Sequence, residues 1–198
     1  MIVPADADLD AAERALRAGQ LVGIPTDTVY GLAVDAFGTG GADRLFAAKR
    51  RPREVDLPVL VTGPVQARSL ATGIPDVALR LMERFWPGAL TLVLPRSPDV
   101  TADLGDDEAT IGVRCPDHDV ARELCRRVGP LATTSANLHG QPTATTAGEV
   151  ARLFGTAVAL VLDGGTCAGS PSTVVDCTGQ EPKLLREGRV PWTDITAV

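Results

Sequence analysis

Aromatic residues are scarce: Phe, Trp and Tyr make up 4% of the 198 residues, with a single Tyr. A core must therefore be built from Val, Leu, Ile and Ala, which favours branched aliphatics in strands and Ala and Leu in helices. Nowhere do about 18 apolar residues follow one another, which excludes a membrane-spanning helix. The start, MIVPADADLD, turns acidic after three positions and lacks the basic opening and apolar run of a signal peptide. There are two histidines and four cysteines (Cys115, Cys125, Cys167, Cys177), and no two cysteines are spaced Cys-x-x-Cys. Zinc binding is thereby disfavoured, and the cysteines read as free thiols in a reducing, cytoplasmic setting.

What is present is ordinary globular composition, 44% hydrophobic and 22% charged, in a length that suits one domain with a real core. The net charge of −6 argues against a protein that grips nucleic acid through its phosphates, since such surfaces are basic. One local exception stands out: Arg44, Lys49, Arg50, Arg51 and Arg53 fall within ten residues. Positive charge at a helix C-terminus suits the helix dipole, so a structural role is the default for such a run.

Periodicity divides the chain into alternating elements. Residues 8–18 read as a helix, with Asp8 as N-cap and Leu9, Ala12 and Leu16 on one face. LVGIP (21–25) is a buried strand, and 26–37 leaves and re-enters the sheet. Residues 40–50 are helical with Leu45 and Phe46 inward. LPVLV (57–61) is a strand, and 75–85 is an amphipathic helix that buries Leu79, Met82 and Phe85. Trp86-Pro87-Gly88 breaks the chain before strands at 89–94 and 109–114. A helix runs from Pro116-Asp117 to about 128, and LATT (131–134) is a short strand. A helix at 146–154 precedes strands at 157–162, 172–176 and 183–187. The order is that of a single α/β or α+β domain.

Polar residues gather just after several apolar strands: PTDT (25–28), TTSAN (133–137) and DGGTCAGSPS (163–172). Strand ends are common ligand positions in open α/β sheets, and small hydroxyls and backbone N–H groups suit phosphate or carboxylate. Lys49, Arg51, Arg114 and Arg186 supply four cations that suit a triphosphate and a carboxylate together if they converge. Lys49 and Arg51 lie two apart, so both reach one ligand only if the chain is leaving the helix there; Pro52 favours that. No Walker A, Gly-x-Gly-x-x-Gly or Gly-x-Ser-x-Gly pattern occurs. Read alone, the residues reach an α/β enzyme for a nucleotide or small anion.

The segments PTDTVYGL (25–32), KRRP (49–52), WPGALT (86–91), VRCPDH (113–118), SAN (135–137), STVVD (172–176) and LLREG (184–188) occur in order along nearly the whole chain. In this the sequence resembles the YrdC-type threonylcarbamoyl-adenylate synthases. The resemblance implies an open, strongly twisted, mainly mixed β-sheet flanked by helices around a central basic cavity. It implies one synthase domain over residues 1–198, the short form with no appended second domain. The implied activity joins L-threonine, bicarbonate and ATP into threonylcarbamoyl-AMP and pyrophosphate, with Mg²⁺ held mainly by the phosphates. The product would pass to a separate tRNA threonylcarbamoyl transferase complex, and tRNA binding by this chain is expected to be weak or absent.

Residue by residue, Thr28, Tyr30, Arg114, Thr133 and Ser172 match positions that hold L-threonine. Lys49, Arg51, Thr91, Ser135, Asn137, Thr143 and Arg186 match positions that hold the nucleotide. Lys49 and Arg51 are the expected catalytic pair, stabilising charge on the phosphates. Leu60 stands where many members carry a histidine, so that contact is not carried over. Two alternatives remain: a carbamoyl-adenylate-forming relative, and a non-catalytic RNA-binding module that uses the basic concavity. Low pI and the lack of basic, aromatic-rich strands weigh against the second.

Overall fold

The computed structural model describes residues 1–4, 9–138 and 140–198. Asp8, expected as a helix N-cap, and His139 lie outside the described residues.

Ten strands form one mixed sheet: β1 (Ile2–Pro4), β2 (Leu21–Ile24), β3 (Gly31–Asp35), β4 (Val59–Leu60), β5 (Leu90–Pro95), β6 (Thr110–Arg114), β7 (Leu131–Ser135), β8 (Val158–Asp163), β9 (Thr173–Asp176) and β10 (Lys183–Arg186). Their order across the sheet is β1-β8-β2-β3-β7-β4-β6-β5-β9-β10. The helices are α1 (Leu9–Arg17), α2 (Gly41–Lys49), α3 (Pro64–Arg68), α4 (Asp76–Phe85), α5 (Asp119–Val128), α6 (Ala147–Phe154) and α7 (Trp192–Ile195). Among the described residues no helix is long and apolar enough to cross a membrane.

Alternation along the strands divides the core into two layers. Val22, Ile24, Ala33, Leu60, Leu131, Leu160 and Leu162 face one side with Ala12 and Leu16 of α1 and Leu124 of α5. Leu21, Leu32, Val34, Val59, Val61, Ala132 and Val161 face the other, with Leu45 of α2, Met82 of α4 and Val150 of α6. Strands covered on both faces read as continuous apolar runs, which is why LVGI is buried throughout. Each such aliphatic contributes about 1.5–3 kcal/mol relative to exposure.

Local chemistry fixes several boundaries. Helix α6 begins with a reciprocal cap: Thr146 Oγ1 accepts the Glu149 N–H, and the Glu149 carboxylate accepts the Thr146 N–H. Such a cap is worth about 1 kcal/mol. Helix α4 turns Ala78, Leu81 and Met82 to the core, while Leu79 and Phe85 are only partly buried, so the buried face is rotated from the expected one. LPVLV contributes only two ladder residues: the Leu57 N–H bonds the Leu104 carbonyl, which belongs to no strand, and the Val61 N–H makes the last bond to β6, at the Arg114 carbonyl. β1, α3 and α7 were not expected from periodicity; each has five residues or fewer, too short for a pattern to show.

Candidate functional site

Several strand ends and strand starts that carry polar residues meet on one edge of the sheet. Gly31 at the start of β3 pairs with Ser135 at the end of β7, and Leu60 at the end of β4 pairs with Arg114 at the end of β6. Thr91, near the start of β5, pairs with Val174 of β9, two residues after Ser172. A cavity of about 340 Å³ opens there. Thr28, Arg51, Thr91, Arg114, Thr133, Ser135, Asn137, Thr143, Ser172 and Arg186 all line it, so ten of the twelve expected site residues are brought together.

At one end stands Arg114, almost wholly buried. Its Nη2 pairs with Asp27 Oδ1 at 2.6 Å, Nη1 donates to Thr28 Oγ1 at 2.9 Å, and Nε donates to the Gly88 carbonyl at 3.0 Å. That leaves one N–H on each terminal nitrogen for a ligand. Gly88 has no room for a side chain: a Cβ would lie 2.5 Å from the Phe85 carbonyl. Asp27 Oδ1 also accepts the Asp117 N–H at 3.0 Å. The Thr26 hydroxyl donates to the Val29 carbonyl at 2.6 Å and accepts the Thr28 and Val29 N–H groups. Its contact with Thr28 Oγ1 at 2.9 Å must then be donated by Thr28. Every hydroxyl proton in the PTDT loop thus has a defined direction.

The other end carries cations with neutral partners. Arg51 donates to the Val55 and Asp56 carbonyls at 2.6 and 2.8 Å. Arg186 donates to the Ser172 carbonyl at 2.9 Å and to its Oγ at 3.2 Å, and Ser172 Oγ lies 2.9 Å from Thr91 Oγ1. Burial lowers the Arg51 pKa, partly offset by the Asp56 charge, and Arg186 lowers it further. Burial lowers that of Arg114 as well, with Asp27 opposing.

The spacing of Lys49 and Arg51 has a concrete solution. Lys49 is the last residue of α2, and Arg50 adopts the left-handed conformation (φ 53°), with the Arg51 N–H returning to the Phe46 carbonyl at 3.0 Å. A left-handed residue reverses the chain after a helix, so the residues on either side of it both reach β7. Lys49 goes to Ser135 and Arg51 Nη1 lies 3.5 Å from Thr134 Oγ1.

Two expected contacts are placed differently. Lys49 does not line the cavity; it is 2% exposed. Its Nζ donates to the Ser135 carbonyl (2.7 Å), Asn137 Oδ1 (2.9 Å) and Ser135 Oγ (3.3 Å), which uses all three ammonium protons. It therefore props the Ser135–Asn137 wall from behind. Burial, then the neighbouring Arg51, lowers its pKa from 10.5 to about 8. Tyr30, expected on the threonine wall, is fully buried and also does not line the cavity; its hydroxyl accepts the Gly164 N–H and donates to the Gly165 carbonyl.

Further residues were not singled out in the sequence. Thr26 and Thr134 line the wall beside Thr28 and Thr133, and Asp27, inside the PTDT motif, stands behind it as the partner of Arg114. Val29, Pro58 and Leu60 form an apolar patch in the same wall. Arg53, from the same basic run, points away, held by Asp43 (2.9 Å), Asp103 and Asp106 (3.7 Å) and lying over the Phe46 ring.

The fold and cavity define an α/β protein whose strand ends gather three arginines and a row of hydroxyls around one small-molecule site. The comparisons carry this one step further. The family model Sua5_yciO_yrdC, described as telomere recombination, matches residues 14–188; the chain belongs to that family. A Mycobacterium tuberculosis relative is 43% identical over 189 residues, 95% of this chain and 87% of its own. The Bacillus subtilis threonylcarbamoyl-AMP synthase is 41% identical over 98% of this chain and 57% of its own, so the chain spans little more than half of that relative. The crystal structure of Pyrococcus abyssi Sua5 complexed with L-threonine superposes with a TM-score of 0.90 at 40% identity, covering 94% of this chain and 56% of that one.

Proposed function

We propose that the chain is a threonylcarbamoyl-AMP synthase. The observation that carries the reading is the division of one cavity wall: a buried arginine among hydroxyls at one end, and cations with only neutral partners at the other. The first end suits an amino acid whose carboxylate takes the free Arg114 N–H groups, with Thr28 and Thr133 offering hydroxyls to its side chain and Ser172, which Arg186 holds, doing so from the border between the two ends. The second suits a triphosphate, with Arg51 and Arg186 facing it and Ser135, Asn137, Thr143 and Thr91 completing the wall. Lys49 acts on the nucleotide through that wall and through its charge.

The chemistry then follows from charge. The neutral threonine amine captures bicarbonate with loss of water, giving a carbamate. A carbamate oxygen attacks the α-phosphorus of ATP, and the bond to the β-phosphate breaks to release pyrophosphate. Negative charge grows on the phosphate oxygens, where Arg51 and Arg186 stabilise it. The contribution of the protein is to orient two reactants and neutralise charge in a partly desolvated site. Among the described residues no carboxylate lines the cavity, so magnesium fits as part of the metal–nucleotide complex, its ligands being phosphate oxygens and water. The product is an activated acyl adenylate, consumed by a reaction that acylates a nucleophile; a separate tRNA-modifying complex is that consumer.

The test is direct. The purified chain, given ATP, L-threonine and bicarbonate, forms threonylcarbamoyl-AMP and pyrophosphate in equal amounts. Pyrophosphate release that needs carbamoyl phosphate in place of threonine and bicarbonate would overturn the reading.

A further inference from the structure

β8 ends and β9 begins at the cavity edge of the sheet, yet six strands lie between them. Across a flat sheet that distance is about 34 Å. Residues 164–172 must bridge it, and ten Cα steps reach at most about 33–36 Å when fully extended. The bridge is not fully extended: Gly165 and Gly169 both have φ of 84°, which turns the chain. The sheet must therefore curl about the cavity, with residues 164–171 as a strap along its rim.

The strap is exposed over most of its length, but besides the Pro171 carbonyl at its downstream end, which accepts the Arg189 N–H at 2.9 Å, it is tied at four points. Gly164 packs against Pro25 so closely that a Cβ would meet the ring at 2.7 Å. The Cys167 N–H donates to the Thr145 carbonyl and the Gly169 N–H to the Thr28 carbonyl, at 2.9 and 2.8 Å. The fourth tie, made by a side chain, is Tyr30, whose hydroxyl accepts from Gly164 at 3.1 Å and donates to Gly165 at 2.9 Å. The ring itself is embedded in the core. Burial raises the hydroxyl pKa to about 12, so it keeps its proton and remains a donor. The downstream end of the strap is Pro171 and Ser172, both in the cavity wall.

We propose that Tyr30 is a positioning residue: it latches the 164–171 strap to the 25–28 loop and so sets where Thr28 and Ser172 stand for the amino acid. The inference rests on the threonine reading of that end of the cavity. A rigid core ring with one polar tip suits this task, because the ring fixes where the hydroxyl is and the hydroxyl fixes where the strap is.

Tyr30→Phe tests it, since only the hydroxyl is removed. Hydrogen exchange on the ligand-free protein should show the 164–169 amides exchanging about fivefold to tenfold faster, the effect of losing one hydrogen-bonding tip, with the core strands unchanged. When pyrophosphate release is measured, threonine KM should rise several-fold while ATP KM stays put. Gly169→Ala, strained at its positive φ, loosens the strap from the other side with Tyr30 intact and should reproduce both changes. Unchanged exchange in the strap in both variants overturns the latch. A weaker threonine KM in Tyr30→Phe with unchanged exchange overturns it too, because that marks direct contact with substrate. The exchange readout needs no activity, so a failure of the synthase reading remains distinguishable.

Discussion

The two ends of the cavity hold their arginines differently. Arg114 is matched by a largely covered carboxylate, Asp27, and is fixed on three sides. Arg51 and Arg186, with Lys49 behind the wall, are held by carbonyls, hydroxyls and an amide, and none of the three forms an ion pair among the described residues. A pre-neutralised arginine offers direction more than charge, which suits an amino acid of no net charge. Cations held by neutral dipoles keep most of their charge for an arriving anion, Asp56 offsetting that of Arg51 only in part, which suits a triphosphate. The lesson is that the partner of an arginine is as informative as its position.

The largest effect should come from breaking the unpaired end. Arg51→Ala is expected to lose adenylate formation by about 10²–10³-fold, as for single donors in preorganised sites, with a near-normal melting curve. Arg53→Ala, two residues on, should lose far less, because its charge is spent on Asp43, Asp103 and Asp106 at the surface. Equal losses in both would mean that the basic run acts as a diffuse field.

Breaking the paired end should be smaller and of another kind. Asp27→Asn keeps the shape but removes the charge that orients Arg114, and threonine KM is expected to rise about tenfold or more with ATP KM unchanged. Calorimetric melting should also drop, since one partner of a buried pair has been neutralised. A shift in ATP KM instead would erase the distinction between the ends.

A third measurement uses proton linkage. Lys49 in the free protein titrates near 8, below its ordinary value of 10.5. Between these values the unfolded chain holds a proton that the folded chain has released, so this residue makes stability rise with pH across that window. Bound phosphate favours the charged form and raises the pKa again. Above about pH 8, nucleotide binding therefore takes up a proton, and the affinity of a non-hydrolysable ATP analogue should fall by up to about tenfold per pH unit. Titration calorimetry in two buffers reads this directly; Lys49→Met should flatten the profile.

The smallest effect concerns Arg50. A non-glycine residue with φ of 53° carries a steric cost of about 1–2 kcal/mol. Arg50→Gly should raise stability by a few tenths to about 1 kcal/mol in denaturant titration, after the extra freedom of unfolded glycine is set against it. Activity should be kept, since the reversal that brings Lys49 and Arg51 to β7 is preserved.

How much of this could be read from the sequence depends on range. Long periodic elements such as α5 and β8 were legible, because their pattern is local. Lengths at sheet margins were not: β1 exists only because β8, 159 residues later, offers an edge. The site shows the same split. Thr28, Arg114 and Ser172 follow from motif and strand end, whereas the Asp27–Arg114 pair joins residues 87 apart. Whether Lys49 faces the cavity or backs its wall depends on the left-handed turn at Arg50. Tyr30 is placed on the threonine wall by the family resemblance, whereas its hydroxyl answers to a loop more than 130 residues away.

Cys167 turns the strap into something that can be timed. Of the four free thiols three are buried and this one is half-buried, and it sits between the two turning glycines. Burial raises its pKa, so alkylation is slow at neutral pH while the strap lies flat. Each excursion of the strap hands that sulfur to solvent. Its labelling rate is thus a clock for rim opening, which substrates should slow and which needs no engineered probe.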